Sequence, residues 1–283
     1  KKKIVLSKSK AYIQEFIKKS KKIYSDIIEI HNRPSYVDSI KKSLNSKIFI
    51  YFHNDPLKMK GSTKLIERIN LLKNCDKIIF NSKWCQNRFF NDLNIENYLE
   101  KTTVIPQSTS IAKINFKKKK KIISFVGKLN TSKGYDAFGN AIIKILNEFP
   151  SWSSVVIGDE PREKLVFKHK NLKLYGFKEN SFVLNILKKV SISVVPSRWD
   201  EPFGRSSLEA SSRGCALIIS NKGGLTETTR DAIILKNVDE INIYNEIKSL
   251  ILNNNLRLKL QKKTFKNFFL SNSYVSKLID NLR

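Results

Sequence analysis

An α/β chain built from two doubly wound parallel-sheet domains is the fold class that the sequence predicts, and three observations carry the prediction. From Ile122 onward short β-branched runs alternate with amphipathic segments, and a similar alternation fills the first hundred residues. The chain has 283 residues, 41% of them apolar, enough for two cores of roughly 100–150 residues each. Strands alternating with helices imply βαβ units, whose sheets are parallel and covered on both faces.

In chain order, KIVLS reads as a strand followed by a helical stretch through Lys22. DIIEIH, KIFIYFH and DKIIF read as strands, separated by helices near 35–44 and 62–73, with another helix starting at Ser82. In the second half IISFVG, SSVVIG, NLKLYG, VSISVVP and CALIIS read as strands, while GYDAFGNAIIKILNEF, SFVLNILKK and RSSLEASSRG carry helical spacing. The tail after Asp239 is helical throughout. These readings give domains at 1–116 and 117–270, with a terminal helix at 271–283 placed to pack back on the first domain. Lys117 to Lys121, five consecutive lysines, read as a solvated linker because like charges repel and extend a chain. A basic patch for anionic lipid or substrate is the second reading.

Lysine and arginine number 53 against 25 acids, a formal charge of +28. Such a balance suits a polyanion, an anionic membrane or a phosphorylated substrate. Composition offers another origin: 43 Lys, 35 Ile and 27 Asn stand against 7 Ala, a skew towards A/T-rich codons that leaves much of the lysine as solvated surface. A nucleic-acid-binding protein would interleave basic residues with aromatics on one surface, whereas these lysines are spread everywhere, so nucleic acid is not expected as a partner. Cys75, Cys85 and Cys215 are odd in number and lack CxxC spacing, which argues for a reducing compartment. No apolar run approaches the ~18 residues of a membrane span. The expected location is therefore cytoplasmic, with the inner membrane face as a peripheral site.

No two glycines are separated by one residue, no Walker loop exists, no Asp-x-Asp pair occurs, and the histidines are only His31, His53 and His169. These absences count against a dinucleotide fingerprint, a P-loop and a metal centre, and no cofactor is expected. The remaining chemistry sits at the carboxyl ends of predicted strands, where open α/β sheets bind ligands. Gly127-Lys128 ends IISFVG, and Lys133-Gly134 precedes the next helix. Glycine permits close backbone approach, and two ammonium groups beside a helix start suit a diphosphate. Asp200 to Ala210 follows VSISVVP, with Glu201 in an irregular Pro202/Gly204 loop and Glu209 one turn inside the helix that begins near Arg205. Glu209 is also an i, i+4 partner of Arg205, an ordinary helix pair. Gly223-Gly224 with Glu227 forms a third such loop.

Gly127-Lys128, Lys133-Gly134, Pro196-Ser197, Glu201-Pro202-Phe203-Gly204, Glu209-Ala210 and Gly223-Gly224-Leu225 with Glu227, in this order, resemble the donor-binding domain of retaining GT-B glycosyltransferases of family 4. DIIEIHNRP, YFHNDP and Asn81 to Trp84 resemble the acceptor-side domain of the same family, notably bacterial enzymes of lipopolysaccharide or cell-surface glycan assembly. The resemblance implies two Rossmann-like domains facing across a cleft and transfer of a sugar from a nucleotide-sugar to a hydroxyl acceptor, a glycan or a lipid-linked one, with retention. It implies that Lys128 and Lys133 bind the donor diphosphate with help from the N–H groups near Gly204, Arg205 and Ser206. It implies that Glu209 accepts from the ribose, Glu201 from the transferred sugar, that the backbone near Gly176 and Phe177 holds the base, and that His53 reaches the sugar and phosphate. Phe203 and Gly127 complete the donor-side set. The family's glycine-rich opening loop and first strands are not found, and the first residue is Lys1, so the start is expected upstream. A nucleotide-sugar epimerase of the same fold is the alternative. His31 is read as structural, and Trp199 as either a sugar-stacking or a packing residue.

Overall fold

The computed structural model describes residues 8–283, so the strand expected at KIVLS lies outside the described residues. The chain divides into two units, Lys1–Pro106 and Gln107–Arg283.

In the first unit α1 (Lys8–Ser20) is followed by β1 (Ile27–His31), α2 (Val37–Lys41), β2 (Lys47–Phe52), α3 (Leu65–Asn74), β3 (Lys77–Phe80), α4 (Lys83–Phe89) and β4 (Thr102–Val104). The strands form one parallel sheet in the order β1-β2-β3-β4. Every residue of β2 after Lys47 is buried, as expected of a strand covered on both faces. Phe52 and Phe80 stack at 5.5 Å, and Phe89 of α4 tilts against both, so this helix is held on the sheet by aromatic contact. Ser82 caps α4 by accepting the Cys85 N–H at 3.0 Å.

The second unit contains β5 (Ile122–Val126), α5 (Tyr135–Glu148), β6 (Ser153–Ile157), β7 (Leu172–Leu174), α6 (Asn180–Leu187), β8 (Ile192–Val195), α7 (Arg205–Ser211), β9 (Ala216–Ser220), β10 (Ile233–Leu235), α8 (Glu240–Leu252), α9 (Asn254–Lys266) and α10 (Asn272–Asp280). Its parallel sheet runs β10-β9-β8-β5-β6-β7. Alternation along β9 sends Ile218 into the core under α5 and α8, and Leu217 and Ile219 into the core under α6 and α7. The chain leaves β5 towards β6 on one side and returns to β8 on the other. The carboxyl ends of β5 and β8 therefore flank a topological switch point, where such sheets bind ligands.

The division between units falls ten residues before the break expected at 116/117, because residues 107–116 are bonded to the second unit. Thr109 forms a parallel bridge with Ser271, the Arg213 guanidinium donates to the Ser110 carbonyl and hydroxyl, and Phe116 packs edge-on against Phe265. Residues 271–283, with α10, likewise belong to the second unit. Nor is the lysine run a solvated linker. Lys119 Nζ donates to the carbonyls of Val190 and Arg213, each at 2.7 Å, and of Leu187 at 3.2 Å, and lies 3.6 Å from Cys215 Sγ. Burial depresses the pKa of this ammonium group and raises that of the Cys215 thiol. One lysine of five thus closes the carboxyl ends of two helices, while Lys117, Lys118, Lys120 and Lys121 stay exposed.

Lys119→Met removes the ammonium donor shared by three carbonyls and should lower stability by about 1–3 kcal/mol. Lys117→Met should remain within about 0.5 kcal/mol of the parent. Urea denaturation of the full chain measures both, and equal effects would return the run to the linker reading.

Candidate active site

At the carboxyl end of β5 the chain turns through Gly127 into a loop that bears Lys128 and Lys133. Asn130 organises this loop: its Oδ1 accepts the Lys133 N–H and the Ser132 hydroxyl, both at 3.0 Å. Gly134 then opens α5 in a left-handed conformation, φ +70°, where a Cβ would stand 2.0 Å from the Pro196 carbonyl oxygen. The loop after β5 is thereby pressed onto the loop after β8. Ser132 strengthens the contact, its carbonyl accepting the N–H groups of Arg198 and Trp199 at 2.9 and 3.0 Å.

Across that contact Lys133 Nζ meets Glu201 Oε1 at 2.5 Å, with the side chains 27% and 13% exposed. Glu201 is fixed from behind by the loop after β9. It bridges to Gly223, and its carbonyl accepts the Gly224 N–H at 2.7 Å. Gly223 has φ +60°, and a Cβ there would lie 2.2 Å from the Glu201 oxygen, so the paired glycines of the sequence serve to let these loops touch. Phe203 is buried with Leu208 and Leu270 and anchors the loop by its side chain. Gly204 caps α7, and the Ser206 hydroxyl donates to the Val126 carbonyl at 2.7 Å, tying the first turn of α7 to the end of β5.

Glu209 points inward from α7 and is 5% exposed. Its Oε1 accepts from Asn180 Nδ2 at 2.7 Å and from Arg205 Nη2 at 3.0 Å. Oε2 takes no protein hydrogen bond among the described residues and is not enclosed. Burial raises the pKa of this carboxyl, against the lowering influence of Arg205 and Asn180. Gly176, φ +65°, has open space where a Cβ would stand, and the following Phe177 is 74% exposed. Lys128 is exposed, near the buried Glu160 whose carboxyl Arg162 holds at about 2 by hydrogen bonding. The second unit thus gathers Gly127, Lys128, Lys133, Glu201, Gly204 to Ser206, Glu209 and Phe177 on the carboxyl side of one sheet. Sequence reasoning missed Asn130 and Asn180. The first carried a signal, an asparagine three residues before Lys133 at a helix approach; the second carried none, because its partner is 29 residues away.

In the first unit His53 follows β2. Its N–H donates to Asn32 Oδ1 at 2.8 Å and its carbonyl accepts from Asn81 Nδ2 at 3.0 Å. Its ring lies parallel to that of His31, with His31 Nδ1 and His53 Nε2 sharing a proton at 2.9 Å. His31 in turn stacks on Tyr51, whose hydroxyl donates to Glu29 Oε1 at 3.0 Å. His53 Nδ1 is enclosed with no hydrogen-bond partner among the described residues. Burial and the neighbouring His31 lower its pKa, so the ring is neutral at pH 7. His31 is therefore the immediate partner of the candidate His53.

The glycosyl transferases group 1 family matches residues 106–267, more than half of the chain. The chain belongs to this family. Among its relatives, the Bacillus subtilis (strain 168) protein YtcC is 24% identical over 251 residues, covering 77% of this chain and 60% of YtcC. The 2-deoxystreptamine N-acetyl-D-glucosaminyltransferase of Niallia circulans is 26% identical over 152 residues, covering 50% of this chain and 39% of the relative. The chain thus spans less than two thirds of the length of these relatives. Anabaena HepE, solved in complex with UDP and glucose, superposes with a TM-score of 0.76 at 14% identity over 96% of this chain and 81% of HepE. That likeness shows the fold: the two doubly wound domains expected from the sequence are those of a GT-B protein.

Proposed function

We propose that the chain is a retaining hexosyltransferase of family 4, moving a glycosyl group from a nucleotide-sugar to a hydroxyl acceptor. The observation that carries this reading is the Lys133–Glu201 pair, which sets a cation and a carboxylate side by side at the switch point of the second sheet. In glycosyl transfer the departing diphosphate gains negative charge, and fixed positive groups aimed at it lower the barrier. An ammonium group has three N–H donors. Glu201 takes one of Lys133's, leaving others for the diphosphate, and Lys128 on the same loop adds a second cation. The backbone N–H groups at Gly204 to Ser206 complete that grip. The second oxygen of Glu201 accepts from a hydroxyl of the transferred sugar, Glu209 Oε2 from the ribose, and the open backbone at Gly176 and Phe177 receives the base. Retention follows from attack on the face the diphosphate leaves, with the leaving group taking the acceptor proton. The lysines supply the cations, so no divalent metal enters the scheme.

For the acceptor we propose a lipopolysaccharide or other cell-surface glycan, lipid-linked and met at the inner face of the membrane. No helix among the described residues is long and apolar enough to cross a membrane. The turn after α1, however, exposes Ile23 (68%) and Tyr24 (89%) beside Lys18, Lys19, Lys21 and Lys22. An amphipathic tip ringed with lysines is suited to an anionic leaflet, where each nearby lysine contributes roughly 1 kcal/mol.

Incubation with a panel of nucleotide-sugars and glycan acceptors should release nucleoside diphosphate and give product of unchanged anomeric configuration by NMR, with turnover unaffected by chelator. Lys128→Ala and Lys133→Ala should lower kcat more than they raise KM, because the charge they stabilise grows in the transition state. A loss confined to KM would leave them as binding groups only.

Glu209→Gln should weaken nucleoside diphosphate binding by about 1.5–3 kcal/mol, the range for hydrogen bonds to charged groups. The ionised carboxylate is the better acceptor and its pKa lies above the usual value. Affinity should therefore fall on acidification sooner than for an ordinary glutamate, and calorimetry of the Gln variant should show that dependence gone.

Co-sedimentation with phosphatidylglycerol vesicles should exceed that with phosphatidylcholine alone and decline with salt. Neutralising Lys18, Lys19, Lys21 and Lys22 should reduce it more than neutralising Lys259, Lys262, Lys263 and Lys266 of α9. Equal reductions would mark the attraction as diffuse.

A further inference from the structure

We propose that Asn180 is a positioning residue for Glu209, its side-chain amide holding Oε1 so that Oε2 alone is presented to the ribose of the nucleotide. The proposal rests on the reading of Glu209 given above. Two donors converge on Oε1, Asn180 at 2.7 Å and Arg205 at 3.0 Å, while Oε2 takes no protein hydrogen bond among the described residues. They are not equivalent. Arg205 lies on the same helix as Glu209 and its side chain is 54% exposed, so its charge is screened by water and its long chain loses entropy when fixed. Asn180 is exposed too, but it comes from a different element, as the first residue of α6, and has only two side-chain torsions to fix. The carboxylate is thus held from two directions, along its own helix and across from α6.

The consequence is chemical. A carboxylate with both oxygens empty accepts from several directions, whereas one with Oε1 filled twice keeps the directions around Oε2 only. Burial works against ionisation here, and the amide favours the ionised form without adding a charge of its own. Glu209 is thereby kept an anionic acceptor of one orientation, which favours a ribose hydroxyl over its absence.

The competing explanation is that Asn180 merely starts α6. The two differ in what aspartate does at that position. An acidic residue in the first helical turn is favourable to the helix, but it replaces the donor facing Glu209 with a second carboxylate. The experiment is calorimetry on the full chain with UDP, GDP, ADP and CDP, then with the 2′-deoxy and 3′-deoxy counterparts of the tightest, alongside thermal melts. The parent should prefer the ribonucleotide over one deoxy counterpart by about tenfold or more, the worth of a hydrogen bond to a charged group. Asn180→Ala should cut that preference several-fold. Asn180→Asp should cut it further while keeping the melting temperature at or above the parent's. Glu209→Gln should nearly remove it, and adding Asn180→Ala to Glu209→Gln should change nothing more. Full preference in both Asn180 variants, with loss in Glu209→Gln, would overturn the positioning role and leave the ribose contact intact. Full preference in Glu209→Gln would overturn the ribose contact itself, and the proposal with it.

Discussion

A partly buried ion pair, Lys133 with Glu201, joins the loop after β5 to the loop after β8 alongside the backbone hydrogen bonds to the Ser132 carbonyl, and the rest of the site is arranged around it. An ion pair in such a place contributes little net stability, because desolvation offsets most of the attraction. Removing either partner is another matter, since the other charge then remains half-buried and alone. The backbone has been shaped to permit the pair. Gly134 lets α5 begin against the Pro196 carbonyl, and Gly223 lets the loop after β9 reach the Glu201 carbonyl. Three loops therefore meet over the switch point.

The two glutamates of this region occupy contrasting surroundings. Glu201 faces a lysine across a short contact. Glu209 is largely buried, its pKa raised by that burial, with a neutral amide and a half-exposed guanidinium on the same oxygen. One carboxylate is ion-paired and the other buried and hydrogen-bonded, which separates their chemistry although both belong to the same short stretch of chain. In the first unit burial lowers the pKa of His53, whose Nε2 is hydrogen-bonded to His31 Nδ1.

Much of the fold was legible because parallel strands buried on two faces leave runs such as KIFIYF and CALIIS that few other structures explain. Gly127-Lys128 and Glu201 to Glu209 were legible for a related reason: glycine and proline interrupt the pattern where strands end. β4 was not, since Thr102-Thr103-Val104 neither alternates nor ends in a glycine that would mark it. Lys119 was not, because it is chemically identical to its four neighbours in the run and its acceptors are carbonyls at 187, 190 and 213. The same limit hid the unit boundary, which depends on where Thr109, Ser110 and Phe116 find partners more than a hundred residues later. Asn180 was hidden for the same reason as Lys119: side chains that act across elements leave no local mark.

α6 and α7 are joined twice, near the site by Asn180 on Glu209 and at their far ends by Lys119, which grips carbonyls just inside α6 and just beyond α7. The two ties grip α6 at opposite ends, whereas on α7 both fall within about one turn of its carboxyl end. The joint near the site is a single neutral hydrogen bond to a carboxylate; the far joint is a caged ammonium with three acceptors. The weaker of the two fastenings is therefore the one that sets the direction of the Glu209 carboxylate.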